Sequence, residues 1–71
     1  GDWKTELQEL VQQKAGQELT YRQISESGPD HDKSFAFAVA LNGSEIGRGE
    51  GRTKKEAEQT AARAALEELK K

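Results

Sequence analysis

The amino-acid sequence predicts a small α+β domain of order α-β-β-β-α, in which two helices pack on one face of a three-stranded antiparallel sheet. Both ends of the chain carry apolar residues at helical spacing, and the middle carries an alternating apolar run followed by an Asn-Gly pair. With 71 residues, of which 32% are hydrophobic, the chain cannot divide its apolar side chains between two cores. We therefore expect a single domain over residues 2–71, with Gly1 as a leftover residue outside it.

The first helix is predicted from the N-terminal segment. Its apolar residues recur at i, i+4, i+7 and i+8, which places them on one helical face: Trp3, Leu7, Leu10 and Val11. Asp2 precedes them as a suitable N-cap, and Gly16 is the expected stop. The opposite face is polar, and such a stripe is by itself typical of a solvated surface.

The first strand is predicted at residues 20–27, which are rich in β-branched, aromatic and polar residues. Its alternation is weak, because Tyr21 and Ile24 do not share a parity. Residues 28–33 then place the only Pro and the only His of the chain among turn-forming neighbours, which indicates a loop.

The second strand gives the strongest strand signal in the chain. Large apolar residues at positions 35, 37, 39 and 41 alternate with alanines, so one face is large and apolar and the other is small. Asn42-Gly43 tolerates positive φ and predicts a tight hairpin into a third strand at residues 44–49. Glycines at 47, 49 and 51 let that strand bend or approach a neighbour closely.

A second, longer helix is predicted from Thr53 to about Leu69. Thr53 is a good N-cap, and Glu56 completes a capping box. The predicted buried stripe is mostly alanine, which lets the helix axis lie close to the sheet. Its members are Ala57, Ala61, Ala62, Ala65, Leu66 and Leu69.

Composition excludes several classes of protein. The absence of Cys excludes a disulfide framework and a thiolate metal site, and favours a cytoplasmic protein. The sequence has no apolar run long enough to span a membrane and no signal peptide pattern. The net charge of −2 argues mildly against nucleic acid. However, residues 48–55 hold four of the eleven basic residues against one acid, so we expect a local basic edge.

A set of residues accompanies these elements in a recognisable order. They are Tyr21, the loop Gly28-Pro29-Asp30-His31, Phe35, Gly43, Gly47, Gly49, Gly51, and the run Thr53-Lys54-Lys55 with Ala57, Ala61 and Ala62. Together they resemble the double-stranded-RNA-binding domain family over essentially the whole chain. Within it, the sequence is most similar to the C-terminal RNA-binding domain of bacterial ribonuclease III. It departs from the family at Glu58, where many members carry Lys, and in lacking a Pro shortly before Tyr21.

The resemblance implies three regions that contact RNA: a stripe on the first helix in one minor groove, a loop in the next, and a basic corner on the phosphates between them. We name them the helix stripe (Thr5, Gln8, Glu9 and Gln12), the loop pair (Pro29 and His31) and the basic corner (Arg52, Thr53, Lys54 and Lys55). Lys4 and Lys33 are further candidates for phosphate contacts. For the basic corner, physics gives independent support, because a helix N-terminus with a hydroxyl and two ammonium groups attracts anions.

The expected partner is therefore double-stranded RNA, with no membrane and no small-molecule substrate. The resemblance also implies a homodimeric parent enzyme that holds Mg²⁺ in a catalytic domain absent here. This chain alone is expected to need no cofactor and to catalyse nothing. The alternative is a protein-interaction or dimerisation module of the same fold that has lost RNA binding. Such modules usually lack the loop His or the Lys pair, whereas His31, Lys54 and Lys55 are all present.

A metal site or a free-standing enzyme is disfavoured by the residues themselves. His31 has no second His and no Cys at ligand spacing. Asp30 and Asp32 flank a loop, without an apolar pocket or a paired acid at a reacting distance. We therefore expect no catalytic residue and no metal ligand in this chain.

Overall fold

The computed structural model describes residues 2–71, so the expectation for Gly1 lies outside the described residues. Five elements follow one another: α1 (Trp3–Val11), β1 (Leu19–Ser27), β2 (Ser34–Leu41), β3 (Ser44–Gly51) and α2 (Lys54–Leu69). The strands form one antiparallel sheet with β2 in the centre. α2 lies across β3 and β2, and α1 packs on α2. The predicted α-β-β-β-α fold is confirmed.

α1 begins as predicted and ends earlier than predicted. The Asp2 carboxylate accepts a hydrogen bond from the Thr5 N–H at 3.1 Å, which confirms the N-cap. The helix stops at Val11, with Gln12 as its C-cap, so the prediction that Gly16 ends it is wrong. After Val11 the sequence offers no large apolar side chain that would extend the buried face. Gly16 instead supplies a positive φ of 81° in the turns that lead to β1.

The core forms where the apolar face of β2 meets both helices. Phe37 and Val39 are buried there with Leu7 and Val11 of α1, as the alternation along β2 predicts. The Asn-Gly turn between β2 and β3 has positive φ at both residues, which confirms the tight hairpin.

A β-bulge explains the weak alternation of β1. Tyr21 lies opposite Val39 on the core face of the sheet. The pairing register then shifts at Ile24, which has no partner in β2. Ile24 lines a shallow depression on the open face of the sheet, beside Ala36 and Arg48. Tyr21 and Ile24 therefore face opposite sides of the sheet, and no single parity can describe both.

α2 lies against β3 at backbone distance. A β carbon added at Gly47, Gly49 or Gly51 would come within about 3 Å of backbone atoms of α2, closer than side-chain packing allows. The alanines that face these glycines are Ala65, Ala61 and Ala57, in that order. Two expectations are thus confirmed: the close approach of the third strand to a neighbour and a helix axis near the sheet.

The buried stripe of α2 is one residue shorter than predicted. Five of its six members are buried, but Leu69 is 40% exposed. Leu69 is the last residue of α2, directly before the C-cap Lys70. The prediction for Leu69 is wrong because a helical pattern does not show how far along the helix the other elements cover it.

Candidate nucleic-acid interface

The helix stripe lies on the solvent side of α1. All four of its members are exposed, whereas Leu7 and Val11 on the other side of the helix are buried. Gln8, Glu9 and Gln12 take no part in the side-chain hydrogen bonds and ion pairs that residues 2–71 make. Two amides and a carboxylate are therefore available to an external ligand.

The loop pair lies at the tip of the β1–β2 connection. Pro29 and His31 are both exposed, and the Asp32 N–H donates to the Pro29 carbonyl at 2.9 Å, which closes a turn around them. Gly28 precedes this turn with a φ of 89°, and a β carbon there would overlap the carbonyl oxygen of Asp32. A stiff turn thus presents the His31 imidazole to solvent.

Lys33 stabilises this loop from one side. Its ammonium donates to the Glu26 carboxylate at 2.5 Å and lies 3.8 Å from Asp30. The hydrogen bond from Lys33 lowers the pKa of Glu26. The phosphate contact expected of Lys33 stays a prediction. In such a contact the Lys33 ammonium would bind a phosphate while it also contacts the carboxylates of Glu26 and Asp30.

The basic corner surrounds the start of α2. The Thr53 hydroxyl accepts a hydrogen bond from the Glu56 N–H at 3.0 Å, which confirms the N-cap. The described residues show only this half of the predicted capping box, since no bond returns from the Thr53 N–H to the Glu56 carboxylate. Lys54 and Lys55 are exposed, and neither belongs to an ion pair within residues 2–71. Two unpaired ammonium groups therefore stand beside free helix N–H groups.

The two arginines of the predicted basic edge are both paired. Arg52 forms an ion pair with Asp32, with 3.1 Å between the guanidinium nitrogen and the carboxylate oxygen, and so links the basic corner to the loop. Arg48 bonds Glu45 at 2.5 Å on the open face of the sheet. The expectation that Arg48 belongs to the local basic edge is therefore wrong. Side chains alternate along β3, and those next to the glycines that meet α2 face away from it.

The first turns of α2 lie between the other two regions. On one side, the Gln59 side chain of α2 accepts hydrogen bonds from the backbone of Trp3 and Lys4 in α1. On the other side, Arg52, immediately before α2, bonds Asp32 of the loop. Hydrogen bonds thus connect the helix that carries the helix stripe to α2, and an ion pair connects the basic corner to the loop that carries the loop pair.

Sequence reasoning missed two side-chain contacts that position α1. Lys4 was a candidate for a phosphate contact, but its ammonium donates to the Glu58 carboxylate at 2.5 Å. Gln59 binds the first N–H groups of α1. These contacts join residues 54 or more positions apart in the chain, so no local spacing signals them. In the sequence, Glu58 stands out only as an acid where many family members carry Lys.

Residues 2–71 lack two further kinds of feature, a metal-binding cluster and a membrane-spanning helix. No group of three or more His, Cys, Asp or Glu side chains is placed there to hold a metal ion. Neither helix of this part of the chain combines the length and the apolar character that crossing a bilayer requires. His31 and its neighbours Asp30 and Asp32 are all exposed.

Comparison with known proteins finds one family over nearly the whole chain: a family model described as "Double-stranded RNA binding motif" matches residues 3–69. "Ribonuclease 3" of Natranaerobius thermophilus is 54% identical over 71 residues, which are 100% of this chain and 31% of that protein. "Ribonuclease 3" of Pelotomaculum thermopropionicum is 57% identical over 65 residues, 92% of this chain and 27% of that protein. "Ribonuclease 3" of Campylobacter concisus is 51% identical over 70 residues, 99% and 31% of the two chains. The chain spans about three tenths of the length of these relatives.

Proposed function

The chain belongs to the double-stranded RNA binding motif family, and from this premise we propose that it binds double-stranded RNA by the shape of the A-form duplex. We propose further that residues 2–71 form the RNA-binding domain of a bacterial ribonuclease III that processes structured RNA. Hydrolysis, with its Mg²⁺, and the contacts of a homodimer then belong to the rest of that enzyme. The family match over residues 3–69 carries the proposal.

A-form RNA favours recognition by shape. Its major groove is too deep and narrow for side chains, whereas its wide, shallow minor groove exposes the 2′-hydroxyls. A rigid domain that covers roughly 16 base pairs contacts one minor groove, the phosphates of the intervening major groove and the next minor groove. Three exposed regions, on elements bonded to one another in order, support this mode of binding.

Each region offers chemistry suited to its proposed target. The amides and the hydroxyl of the helix stripe can donate to and accept from a 2′-hydroxyl, and Glu9 can accept from one. The loop pair presents an imidazole and backbone groups to the second minor groove. The basic corner presents free N–H groups, a hydroxyl and two unpaired ammonium groups to the phosphates. Arg52, bonded to Asp32 at 3.1 Å, borders this phosphate site.

Binding should depend steeply on duplex length. An RNA duplex of about 8 base pairs can offer only one of two successive minor grooves, so it should bind more than tenfold more weakly than one of about 16. Blunt RNA duplexes of increasing length, and DNA duplexes of the same sequences, should be titrated by gel shift. RNA should bind better than DNA at the full span, because DNA lacks the 2′-hydroxyl.

Two outcomes of that titration would contradict the proposal. Equal affinity for RNA and DNA at every length would show that the chain does not read the A-form duplex. A shallow rise in RNA affinity from the shortest duplex upward would show that one region carries the binding, and the three-region arrangement would have to be abandoned.

Single substitutions in the helix stripe and the loop pair should erode the preference for RNA. Gln8→Ala and His31→Ala should each reduce affinity for RNA by about fivefold, the equivalent of a net hydrogen bond of about 1 kcal/mol. DNA binding should change less, because these side chains are proposed to contact 2′-hydroxyls. The matched control is Gln23→Ala, at an exposed glutamine of β1 outside all three regions. A loss that is equal for RNA and DNA would assign these residues to nonspecific binding.

A further inference from the structure

The N-terminus of α1 is held by a residue of α2. The Gln59 side-chain oxygen accepts hydrogen bonds from the Trp3 N–H at 2.7 Å and from the Lys4 N–H at 3.3 Å. The Gln59 side-chain nitrogen donates to the Asp2 carboxylate at 2.8 Å. Asp2 in turn caps the Thr5 N–H at 3.1 Å. One amide thus satisfies two of the four N–H groups that the start of a helix leaves free, and it also fixes the residue that caps a third.

A second contact lies beside the first. The Lys4 ammonium donates to the Glu58 carboxylate at 2.5 Å and lies 4.5 Å from the centre of the Tyr21 ring. The hydrogen bond from Gln59, with that from the Thr5 N–H, lowers the pKa of Asp2 to about 2. Asp2 therefore remains an acceptor at neutral pH. We call the two contacts together the interhelical clamp (Asp2, Lys4, Glu58 and Gln59).

The clamp joins two of the proposed RNA-contacting regions. Lys4 and Thr5 begin the helix whose outer side carries the helix stripe, and Glu58 and Gln59 follow the basic corner by one helical turn. The amide of Gln59 holds the first turn of α1 and therefore affects the orientation of α1 relative to α2. Without it, Leu7 and Val11 would still hold the buried face of α1, but its first turn would lose two backbone hydrogen bonds.

We propose that Gln59 is a positioning residue for RNA recognition, which holds the helix stripe at a fixed place relative to the basic corner. This inference rests on the proposed function. When two RNA-contacting regions are held rigidly, binding at one region places the other on the RNA, so both add to the affinity. When their relative position is mobile, that mobility is lost on binding and the affinity falls. Gln59 itself contacts α1 and contributes through the position of that helix.

The first test removes the amide. Gln59→Ala should weaken binding to an RNA duplex of about 16 base pairs roughly tenfold, while binding to one of about 8 base pairs changes little. The slope of log affinity against log salt should be unchanged, because Lys54 and Lys55 remain in place. Amide hydrogen exchange should become faster at Trp3 and Lys4, which reports loss of the clamp independently of RNA.

The second test exchanges the donor and the acceptor. Gln59→Glu places a second carboxylate beside Asp2 and removes the hydrogen bond between the two side chains. It should weaken binding less than Gln59→Ala does, because a carboxylate at position 59 can still accept from the Trp3 and Lys4 N–H groups. Adding Asp2→Asn restores a donor, keeps a good N-cap and returns the net charge to that of the wild type. The double variant should recover binding to within about threefold of the wild type, since the hydrogen bond between the two side chains is restored.

A stability control separates positioning from folding. Val39→Ala removes buried methyl groups from the sheet and destabilises the core without touching the clamp. Measured below its unfolding midpoint, this variant should keep the wild-type length dependence. The inference is overturned if Val39→Ala loses that dependence as Gln59→Ala does, or if Gln59→Ala keeps it while the Trp3 and Lys4 amides exchange rapidly. A wild-type chain with no preference for RNA would overturn the proposed function, and this inference with it.

Discussion

Changing Lys54 and Lys55 together to Ala should weaken binding to every RNA duplex by a similar factor of about tenfold or more, because charge-assisted phosphate contacts are lost. These contacts are blind to base sequence. Each also releases counterions, so the slope of log affinity against log salt should fall by about 1 for each lysine. Titrations of one RNA duplex between about 50 and 200 mM salt would measure both effects.

The matched control for this prediction is Lys70→Ala with Lys71→Ala. It changes the net charge by the same amount at the opposite end of α2, where these lysines bond Glu6 and Glu68. The control should reduce the affinity and the salt slope far less. If the change at Lys54 and Lys55 left the wild-type slope intact, or if both pairs lowered it equally, the phosphate site would not lie at the start of α2.

Gly49→Ala should cause a large loss of stability for the addition of a single methyl group. The added carbon would overlap backbone atoms of Thr60 and Ala61, which cannot rotate away, so α2 must move off β3. Overpacking of this kind costs typically about 1–3 kcal/mol of unfolding free energy. For a domain of this size, 1 kcal/mol corresponds to a fall of about 4–8 °C in Tm. Thermal unfolding followed by circular dichroism would measure it.

Gly43→Ala provides the comparison for that change. Gly43 lies in the β2–β3 turn with a φ of 86°, and a β carbon there meets nothing within 4 Å. Its substitution reports the backbone strain of a positive φ, about 1 kcal/mol, without displacing a helix. If Gly49→Ala lowered Tm no more than Gly43→Ala, the close contact between β3 and α2 would not contribute to stability in this way.

Local patterns in the sequence predict most of this fold. The caps at Asp2 and Thr53, the alternation along β2 and the Asn-Gly turn all depend on neighbours within a few residues, and all are confirmed. The failures lie where distant segments decide the outcome. α1 stops where the sequence offers no further large apolar residue for its buried face, and Leu69 is exposed at the last turn of α2.

The candidate site was predicted less completely than the fold. The resemblance predicts which residues contact RNA, and all of them lie at the surface. It does not predict which charges are compensated: within residues 2–71, Arg52 and Arg48 have acidic partners, whereas Lys54 and Lys55 have none. Gln59 was missed because its partners lie at the other end of the chain. Its importance depends on tertiary geometry, which spacing along a helix cannot reveal.

The direct contact between the backbones of β3 and α2 has a mechanical consequence. In most helix–sheet packing, a layer of large side chains separates the two elements, and rotamer changes in that layer let the helix shift. Here Gly47, Gly49 and Gly51 remove that layer, so the helix rests on main-chain atoms that have no rotamers. Thermal motion and substitutions elsewhere in the core should therefore displace the start of α2 only slightly. The distance between the first turn of α2 and the strands is therefore fixed by the backbone. A fixed distance of this kind suits the recognition of a ligand by its dimensions.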